Sequence, residues 1–185
     1  FMGTPDFAKE SLEAIYEAGY EILAVVTNPD KPKGRGMKMI ASPVKEYALE
    51  KGLKILQPSN LKDESFLAEL KALNANLQIV VAFRMLPKVV WEMPKLGTFN
   101  LHASLLPNYR GAAPINWAII NGETKTGVTT FFIDDKIDTG AMILSKETRI
   151  EKEENAGMLH DRLMHIGSET VVATLNLIES NKVNT

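Results

Sequence analysis

The chain has 185 residues, 45% of them hydrophobic and 24% charged, a balance typical of one globular domain with a continuous core. It contains no cysteine, which excludes disulfide bonds and thiolate chemistry and fits a reducing compartment. The formal net charge of −2 provides no general attraction to nucleic acid, so such a partner needs a local basic patch. The apolar runs, such as Ile79–Phe83, are much shorter than the roughly 20 residues of a membrane span. With no secretion leader at its start, the chain is expected to be cytoplasmic and to have no membrane partner.

Helices and strands are predicted to alternate along the first hundred residues. Thr4 is a candidate cap for a first helix that has Pro5 at its first position and ends at Gly19. The β-branched, apolar residues 21–27 predict a buried strand. The later elements are a polar, glycine-rich loop over 28–41, a helix from Ser42 to Gly52, a strand over 54–57, a helix through 66–73 and a buried strand over 77–83.

Paired strands follow this alternating part. A strand over 98–103 leads into a turn-rich loop over 104–113 and a short helix over 115–121. Two strands over 126–133 and 142–150 are predicted to pair, and apolar residues from Leu159 to Leu177 at steps of three or four predict a long final helix. The predicted fold class is α/β: a Rossmann-like, mostly parallel sheet flanked by helices, with antiparallel strands added at one side.

Polar side chains lie where ligands bind in open α/β sheets, at the carboxyl ends of the strands. The strand over 98–103 delivers Asn100 and His102 to that edge, on the same face because side chains alternate, while Leu101 points into the core. An amide donor beside an imidazole suits acyl transfer. Further along, Asp138 lies in a tight turn between two strands. A local hydrogen-bonding pair and a turn-forming aspartate are the structural alternatives, and both stay open on spacing alone.

Three separated motifs resemble one family. N-L-H at 100–102 runs into S-L-L-P at 104–107 and Y-R-G at 109–111, and D-T-G follows at 138–140. In order, spacing and flanking strands, this pattern resembles the formyltransferases that use 10-formyltetrahydrofolate, over essentially the whole chain. The resemblance implies a catalytic trio in which Asn100 and His102 stabilise an oxyanion. It also implies that Asp138 orients His102 and helps to remove the amine proton.

The resemblance further implies 10-formyltetrahydrofolate as co-substrate and no metal. One wall of the folate pocket is expected from Ser104, Leu105, Leu106 and Pro107. Backbone groups for the pterin ring are expected from the 134–138 turn and from Phe83, Arg84, Met85 and Leu86. Many methionyl-tRNA formyltransferases have Tyr-Gly where this chain has Phe83-Arg84, which leaves the side chains around the pterin open. His160 and His165 are predicted on the surface of the final helix, and the three histidines have no metal-ligand spacing.

The segment P-D-K-P-K-G-R-G-M-K at 29–38 concentrates four cations within eight residues. Glycines and a proline between the cations predict a mobile basic loop without regular structure, suited to phosphates, although a solvated loop is the alternative. Together with S-P-V-K at 42–45, the segment looks like the insertion loop of methionyl-tRNA formyltransferases. On this resemblance Arg35 is expected to contact the tRNA acceptor stem, and Lys31, Lys33 and Lys38 to neutralise phosphates.

The expected function is transfer of a formyl group to the amino group of methionyl-initiator tRNA for translation initiation, by a monomer. Residues 1–180 are expected to form the catalytic domain, and 181–185 to begin a linker to a β-rich tRNA-binding domain absent from this chain. One alternative is a formyltransferase acting on an amino-sugar nucleotide. A remote alternative is a non-enzymatic nucleotide-binding domain, but the Gly34-Arg35-Gly36 stretch lacks the third glycine and the strand–helix setting of a phosphate loop.

Overall fold

The computed structural model describes residues 1–33 and 38–183. The chain divides into two units, one over Phe1–Thr98 and a second that begins at Phe99. In chain order, the first unit contains strands β1 Met2–Gly3, β2 Val25–Val26, β3 Lys31–Lys33, β4 Lys38–Ile40, β5 Ile55–Leu56 and β6 Gln78–Val81, and helices α1 Asp6–Glu17, α2 Pro43–Glu50, α3 Glu64–Ala72 and α4 Lys88–Trp91.

Four strands of the first unit form a parallel sheet in the order β5-β2-β1-β6. Val25, Val26 and Val81 in this sheet are fully buried, as expected for strands covered by helices. At Gly3 a Cβ atom would lie 2.5 Å from the Ala8 Cβ and 2.8 Å from the Val81 carbonyl oxygen. The glycine therefore permits the close approach of α1 to the sheet.

Several predicted boundaries were too generous. The strand predicted over 21–27 is confined to β2, and the strand predicted over 77–83 to β6, because ladder hydrogen bonds form only where short partners such as β1 are available. Pro5, not Thr4, occupies the N-cap of α1, and the Thr4 hydroxyl instead accepts a hydrogen bond from the Asn28 backbone N–H at 3.4 Å. Ser42 caps α2 as predicted, accepting from the Lys45 N–H at 3.1 Å. The four-residue helix α4 was not predicted.

The predicted absence of regular structure in the basic segment is wrong. β3 and β4 pair in antiparallel fashion, with Lys31 opposite Ile40 and Pro32 opposite Met39. Backbone groups of two extended segments can pair whatever charge their side chains carry, and lysine and proline are both tolerated in edge strands. Counting cations therefore does not reveal whether a segment is extended and paired.

The second unit is built on an antiparallel ladder. It contains β7 Thr98–His102, which begins at the unit boundary, then α5 Pro114–Ile120, β8 Lys125–Phe132, β9 Met142–Arg149 and α6 Ala156–Glu179. β8 pairs with both β7 and β9. Leu159, Leu163 and Val171 of α6 are fully buried, and the buried hydroxyls of Thr130 and Thr174 are 2.7 Å apart, joining β8 to α6.

The predicted fold class is confirmed, since a helix-flanked parallel sheet and additional antiparallel strands are both present. Within residues 1–33 and 38–183, no helix is both long enough and apolar enough to cross a membrane. The assignment of 1–180 to a catalytic domain and of 181–185 to a linker stays a prediction.

Candidate active site

Strand β7 holds Asn100 and His102. In the ladder with β8, Asn100 lies opposite Phe131 and His102 opposite Thr129. Leu101 is buried, as predicted, Asn100 is half-buried, and His102 is buried. The two polar side chains share one face of the strand because side chains alternate along it.

Both ring nitrogens of His102 face acceptors. Its Nε2 lies 2.8 Å from the carbonyl oxygen of Tyr109, and its Nδ1 lies 3.6 Å from Oδ2 of Asp138. A carbonyl oxygen can only accept, so this geometry assigns a proton to Nε2. In the neutral ring, Nδ1 is then the unprotonated nitrogen and faces the carboxylate. The imidazole thus lies between a backbone carbonyl, which accepts its hydrogen bond, and a carboxylate.

Asp138 is fixed by its own turn and by the loop over 104–113. Its backbone has φ of 53°, in the left-handed region, where aspartate is tolerated better than most residues. Its Oδ2 accepts a hydrogen bond from the Gly111 N–H at 2.7 Å, and its carbonyl accepts one from Nε of Arg110, also at 2.7 Å. The structure therefore brings Asp138 to His102, as predicted, and shows two further contacts that hold it there.

Asn100 differs from His102 and Asp138 in the hydrogen bonding of its side chain. Within the part of the chain that the structure describes, its side-chain amide makes no hydrogen bond to another residue. The side chain is half-buried, so its amide is only partly open to water. A half-buried amide without a protein partner can donate to a ligand oxygen at little cost in lost protein contacts.

The S-L-L-P segment is anchored through its polar groups. The Ser104 hydroxyl donates to the Asn108 carbonyl at 2.6 Å. The Thr129 hydroxyl donates to the Ser104 carbonyl at 2.8 Å and accepts from the Leu106 N–H at 3.2 Å. Ser104 and Leu106 are buried, whereas Leu105 is half-buried and Pro107 is exposed. Of the four predicted folate-wall residues, Leu105 and Pro107 thus have accessible side chains, and the other two anchor the loop.

The remaining predicted folate residues, Phe83, Arg84, Met85 and Leu86, lie in the first unit. The Arg84 guanidinium donates to two carbonyls of residues 58 and 59, at 2.7 and 3.0 Å, and lies 5.1 Å from the centre of the Phe83 ring. Partial burial lowers the pKa of Arg84. Leu86 is buried and Met85 is 74% exposed. The side chains of Arg84 and Leu86 are thus engaged within their own unit, and the role of these four residues in folate binding stays a prediction.

The predicted tRNA-binding cations lie in or near the β3–β4 pair. Lys31 is in β3 and its side chain is exposed. Arg35 lies outside the described residues, as do the side chains of Lys33 and Lys38.

Three residues near this site, Tyr109, Asn121 and Glu123, were given no role from the sequence. The Tyr109 hydroxyl donates to Oε1 of Glu123 at 2.5 Å and accepts from Nδ2 of Asn121 at 3.0 Å. The hydrogen bond to Glu123 raises the pKa of Tyr109. The Y-R-G motif marked Tyr109 as part of a pattern, but its partners are separated from it in sequence and no periodicity points to them.

The other histidines are on the helix surface, as predicted: His165 is exposed, and the side chain of His160 is 39% exposed. Among the described residues, no group of three or more carboxylate, histidine or cysteine side chains is arranged to hold a metal ion.

Comparison with known proteins identifies the family. A family model described as formyl transferase matches residues 1–175. The chain belongs to the formyl transferase family. One close relative of this formyl transferase is the methionyl-tRNA formyltransferase of Flavobacterium johnsoniae, 74% identical over 185 residues, which are 100% of this chain and 59% of that protein. The chain therefore spans about three fifths of the length of that curated relative.

Solved structures of formyl transferases share the fold. Phosphoribosylglycinamide formyltransferase from Bacillus halodurans aligns with a TM-score of 0.80 and 19% identity, over 97% of this chain and 93% of that one. The N-formyltransferase from Helicobacter canadensis, in complex with folinic acid and dTDP-3-aminofucose, aligns with a TM-score of 0.71 and 25% identity, over 99% of this chain and 64% of that one.

Proposed function

We propose that this formyl transferase moves a formyl group from 10-formyltetrahydrofolate to the amino group of methionyl-initiator tRNA, a step of translation initiation. The observation that carries the proposal is the largely buried His102–Asp138 pair, with Nδ1 and Oδ2 3.6 Å apart. The strand of His102 also carries Asn100, whose amide makes no hydrogen bond to any residue that the structure describes. The choice of acceptor is supported by the 74% identity to a methionyl-tRNA formyltransferase.

The three side chains match the demands of formyl transfer. As the amine nitrogen attacks the formyl carbon, negative charge develops on the formyl oxygen and positive charge on the nitrogen. The Asn100 amide donates to that oxygen, and His102, once it has taken the proton, places positive charge beside it. Asp138 orients His102 and, with it, removes a proton from the nitrogen. The bond from the formyl carbon to N10 of the folate then breaks, and the proton ends on N10, so that the atoms balance.

The second unit offers suitable surfaces for a formylated reduced folate. Asn100 supplies a half-buried amide donor for the formyl oxygen, and Leu105 and Pro107 supply accessible apolar area on the loop that also contacts Asp138. The relative solved with folinic acid supports a folate as the donor. Ser104 and Leu106 hold the loop in place. Phe83–Leu86 contact the pterin ring through backbone groups.

The acceptor tRNA requires local positive charge because the formal net charge of the chain is −2. We assign that role to Lys31, Lys33, Arg35 and Lys38, with Arg35 on the acceptor stem, since cations that neutralise phosphates supply most of the affinity for nucleic acid. Formylation of an initiator tRNA occurs where translation occurs, so we also propose that the protein is cytoplasmic.

The acceptor is tested by offering the protein radiolabelled 10-formyltetrahydrofolate together with methionyl-initiator tRNA or an amino-sugar nucleotide. We expect label to enter the tRNA. Exchange of Arg35 for alanine is expected to reduce tRNA formylation at least about tenfold, one lost ionic contact being worth on the order of 1.5 kcal/mol or more. A matched control is Arg149→Ala, which removes an exposed arginine of β9 and should leave the rate unchanged.

Transfer to the amino-sugar nucleotide, unaffected by Arg35→Ala, would instead favour a sugar acceptor like that of the Helicobacter canadensis relative. Failure of labelled formyl to reach either acceptor would contradict the proposed function as a whole.

A further inference from the structure

We propose that Tyr109 is a positioning residue that fixes which nitrogen of His102 accepts the proton during formyl transfer, and that Glu123 and Asn121 hold Tyr109 in place. The inference rests on the proposed function. Tyr109 contacts His102 through its backbone carbonyl and the anchoring residues through its hydroxyl, so one residue joins the imidazole to a separate polar cluster.

The backbone of Tyr109 requires such an anchor. Its φ of 57° lies in the left-handed region, which costs a residue with a side chain about 1–2 kcal/mol. This conformation nevertheless directs the carbonyl to Nε2 of His102 at 2.8 Å. The hydroxyl contacts to Glu123 and Asn121, at 2.5 and 3.0 Å, offset that cost. The strained conformation is maintained by side-chain hydrogen bonds at the far end of the residue.

The cluster is attached to a rigid element. Asn121 is the C-cap of α5, and its N–H bonds to the Trp117 carbonyl at 3.0 Å. The Glu123 N–H bonds to the Ala118 carbonyl, also at 3.0 Å. Both partners of the Tyr109 hydroxyl therefore lie at or just after the C-terminal end of α5, and backbone hydrogen bonds join them to that helix.

The consequence for the reaction concerns the imidazole. With the Nε2 proton engaged by the Tyr109 carbonyl, Nδ1 is the nitrogen left to accept a proton. Because Oδ2 of Asp138 lies 3.6 Å from Nδ1, the carboxylate takes the proton from the attacking amine and passes it to Nδ1. The imidazolium that forms then has an acceptor for each N–H: the Tyr109 carbonyl at Nε2 and the Asp138 carboxylate at Nδ1. Orientation of a catalytic base by groups that satisfy its protonated form favours proton transfer. The proton passes on to N10 of the departing folate.

Nitrogen NMR of the histidine side chains reads the protonated nitrogen directly, and His160 and His165 serve as internal references in the same spectrum. In the unmodified chain we expect His102 to carry its proton on Nε2 and that proton to exchange slowly with water. In Tyr109→Phe, which removes only the hydroxyl, we expect both tautomers of His102 to be populated and the Nε2 proton to exchange faster. The reference signals should stay unchanged.

Kinetics provide the second measurement. Tyr109→Phe is expected to lower kcat about tenfold, since a small misplacement of a catalytic group has an effect of this order or larger, with KM for the folate within about twofold of wild type. Glu123→Gln retains an oxygen that accepts from the Tyr109 hydroxyl, so it should preserve more of kcat than Tyr109→Phe does. Tyr16→Phe, on the exposed side of α1, is the matched control and should change neither the spectrum nor kcat.

The outcomes separate the two proposals. If Tyr109→Phe folds and keeps the wild-type His102 spectrum and kcat, while His102→Ala abolishes transfer, the positioning role is overturned and the proposed function stands. If the wild-type protein transfers no formyl group, the proposed function fails, and the NMR arm still decides whether Tyr109 sets the tautomer. Should Tyr109→Phe not fold, Glu123→Ala decides by the same two measurements, with the wild-type spectrum and kcat overturning the role.

Discussion

Nδ1 of His102 and Oδ2 of Asp138 lie 3.6 Å apart, and their side chains are only 9% and 12% exposed. Electrostatic interactions are stronger at a site that contains little water than at the surface. A carboxylate so placed interacts with the imidazole more strongly than an exposed one does. The pair is supplied by two separate elements, a strand and a turn, so its geometry depends on the fold of the whole second unit.

Exchange of Asp138 for asparagine should remove this effect and leave the fold intact, because the amide oxygen still accepts from the Gly111 N–H. We expect kcat for formyl transfer to fall at least about 100-fold, within the usual range for loss of acid–base assistance. Asp161→Asn is the matched control, since Asp161 also lies near a histidine Nδ1, at 3.0 Å, but on the exposed surface of α6. Equal rates for Asp138→Asn and Asp161→Asn would contradict a role for the buried pair.

Exchange of Asn100 for alanine should separate activity from stability. No hydrogen bond to a described residue is lost, so the free energy of unfolding should change by less than about 1 kcal/mol. The loss of an oxyanion donor is expected to lower kcat about 100- to 1000-fold. Asn155→Ala should give the opposite pattern. The Asn155 side chain caps α6 by accepting from the Met158 N–H at 3.0 Å, so its removal should cost about 1 kcal/mol of stability and leave kcat normal. Urea unfolding and steady-state assays of both variants check the contrast.

Gly140 should be indispensable to the turn that carries Asp138. A Cβ atom at this position would lie 1.6 Å from the Phe132 carbonyl oxygen, so Gly140→Ala requires the turn to move. We expect the free energy of unfolding to fall by about 3 kcal/mol, the upper end of the usual range for an overpacked site. At Gly122, φ is +67° but the space around the position is open, so Gly122→Ala should cost only about 1 kcal/mol, through backbone strain. Similar losses for both variants would show that the close contact is not what demands glycine.

The pH dependence of stability should include a contribution from Asp30. Hydrogen bonds from Lys45 and then from Gln57, at 2.6 and 2.9 Å, lower the pKa of Asp30. A carboxyl whose pKa is lowered in the folded state stabilises the fold above its unfolded pKa of about 3.9, and this stabilisation is lost as the pH falls through the folded pKa.

Urea unfolding of wild type and Asp30→Asn tests this contribution. The wild type should be more stable by a constant amount above about pH 5, and the difference should shrink as the pH falls below about 4. In Lys45→Gln, which removes the largest cause of the lowered pKa, the stabilisation by Asp30 should be smaller and its loss should be complete at a higher pH. A difference between wild type and Asp30→Asn that stays the same down to acidic pH would contradict the assignment.

Local patterns predicted the parts of the molecule that depend on nearby residues. Alternation along β7 predicted that Leu101 is buried, and Ser42 identified the start of α2. Partners distant in sequence were beyond such patterns. Spacing alone predicted only that Asp138 is a turn residue. Its place beside His102 was predicted from the family resemblance.

The remaining differences have the same physical origin. The contacts of Tyr109 with Glu123 and Asn121 depend on where α5 ends relative to a loop, and the pairing of β3 with β4 depends on two backbone segments meeting. Neither event leaves a periodic signal in composition or charge. The burial of Ser104 and Leu106 likewise follows from the hydrogen bonds of Thr129, a residue of another strand.

A single-turnover assay of wild type and His102→Ala tests the central claim most directly. Labelled formyl groups are followed from 10-formyltetrahydrofolate to methionyl-initiator tRNA, with circular dichroism confirming that the variant is folded. We predict transfer by the wild type and a rate at least about 100-fold lower for His102→Ala. Equal rates in the two proteins, or no transfer by the wild type, would contradict the assignment of formyl transfer to this site.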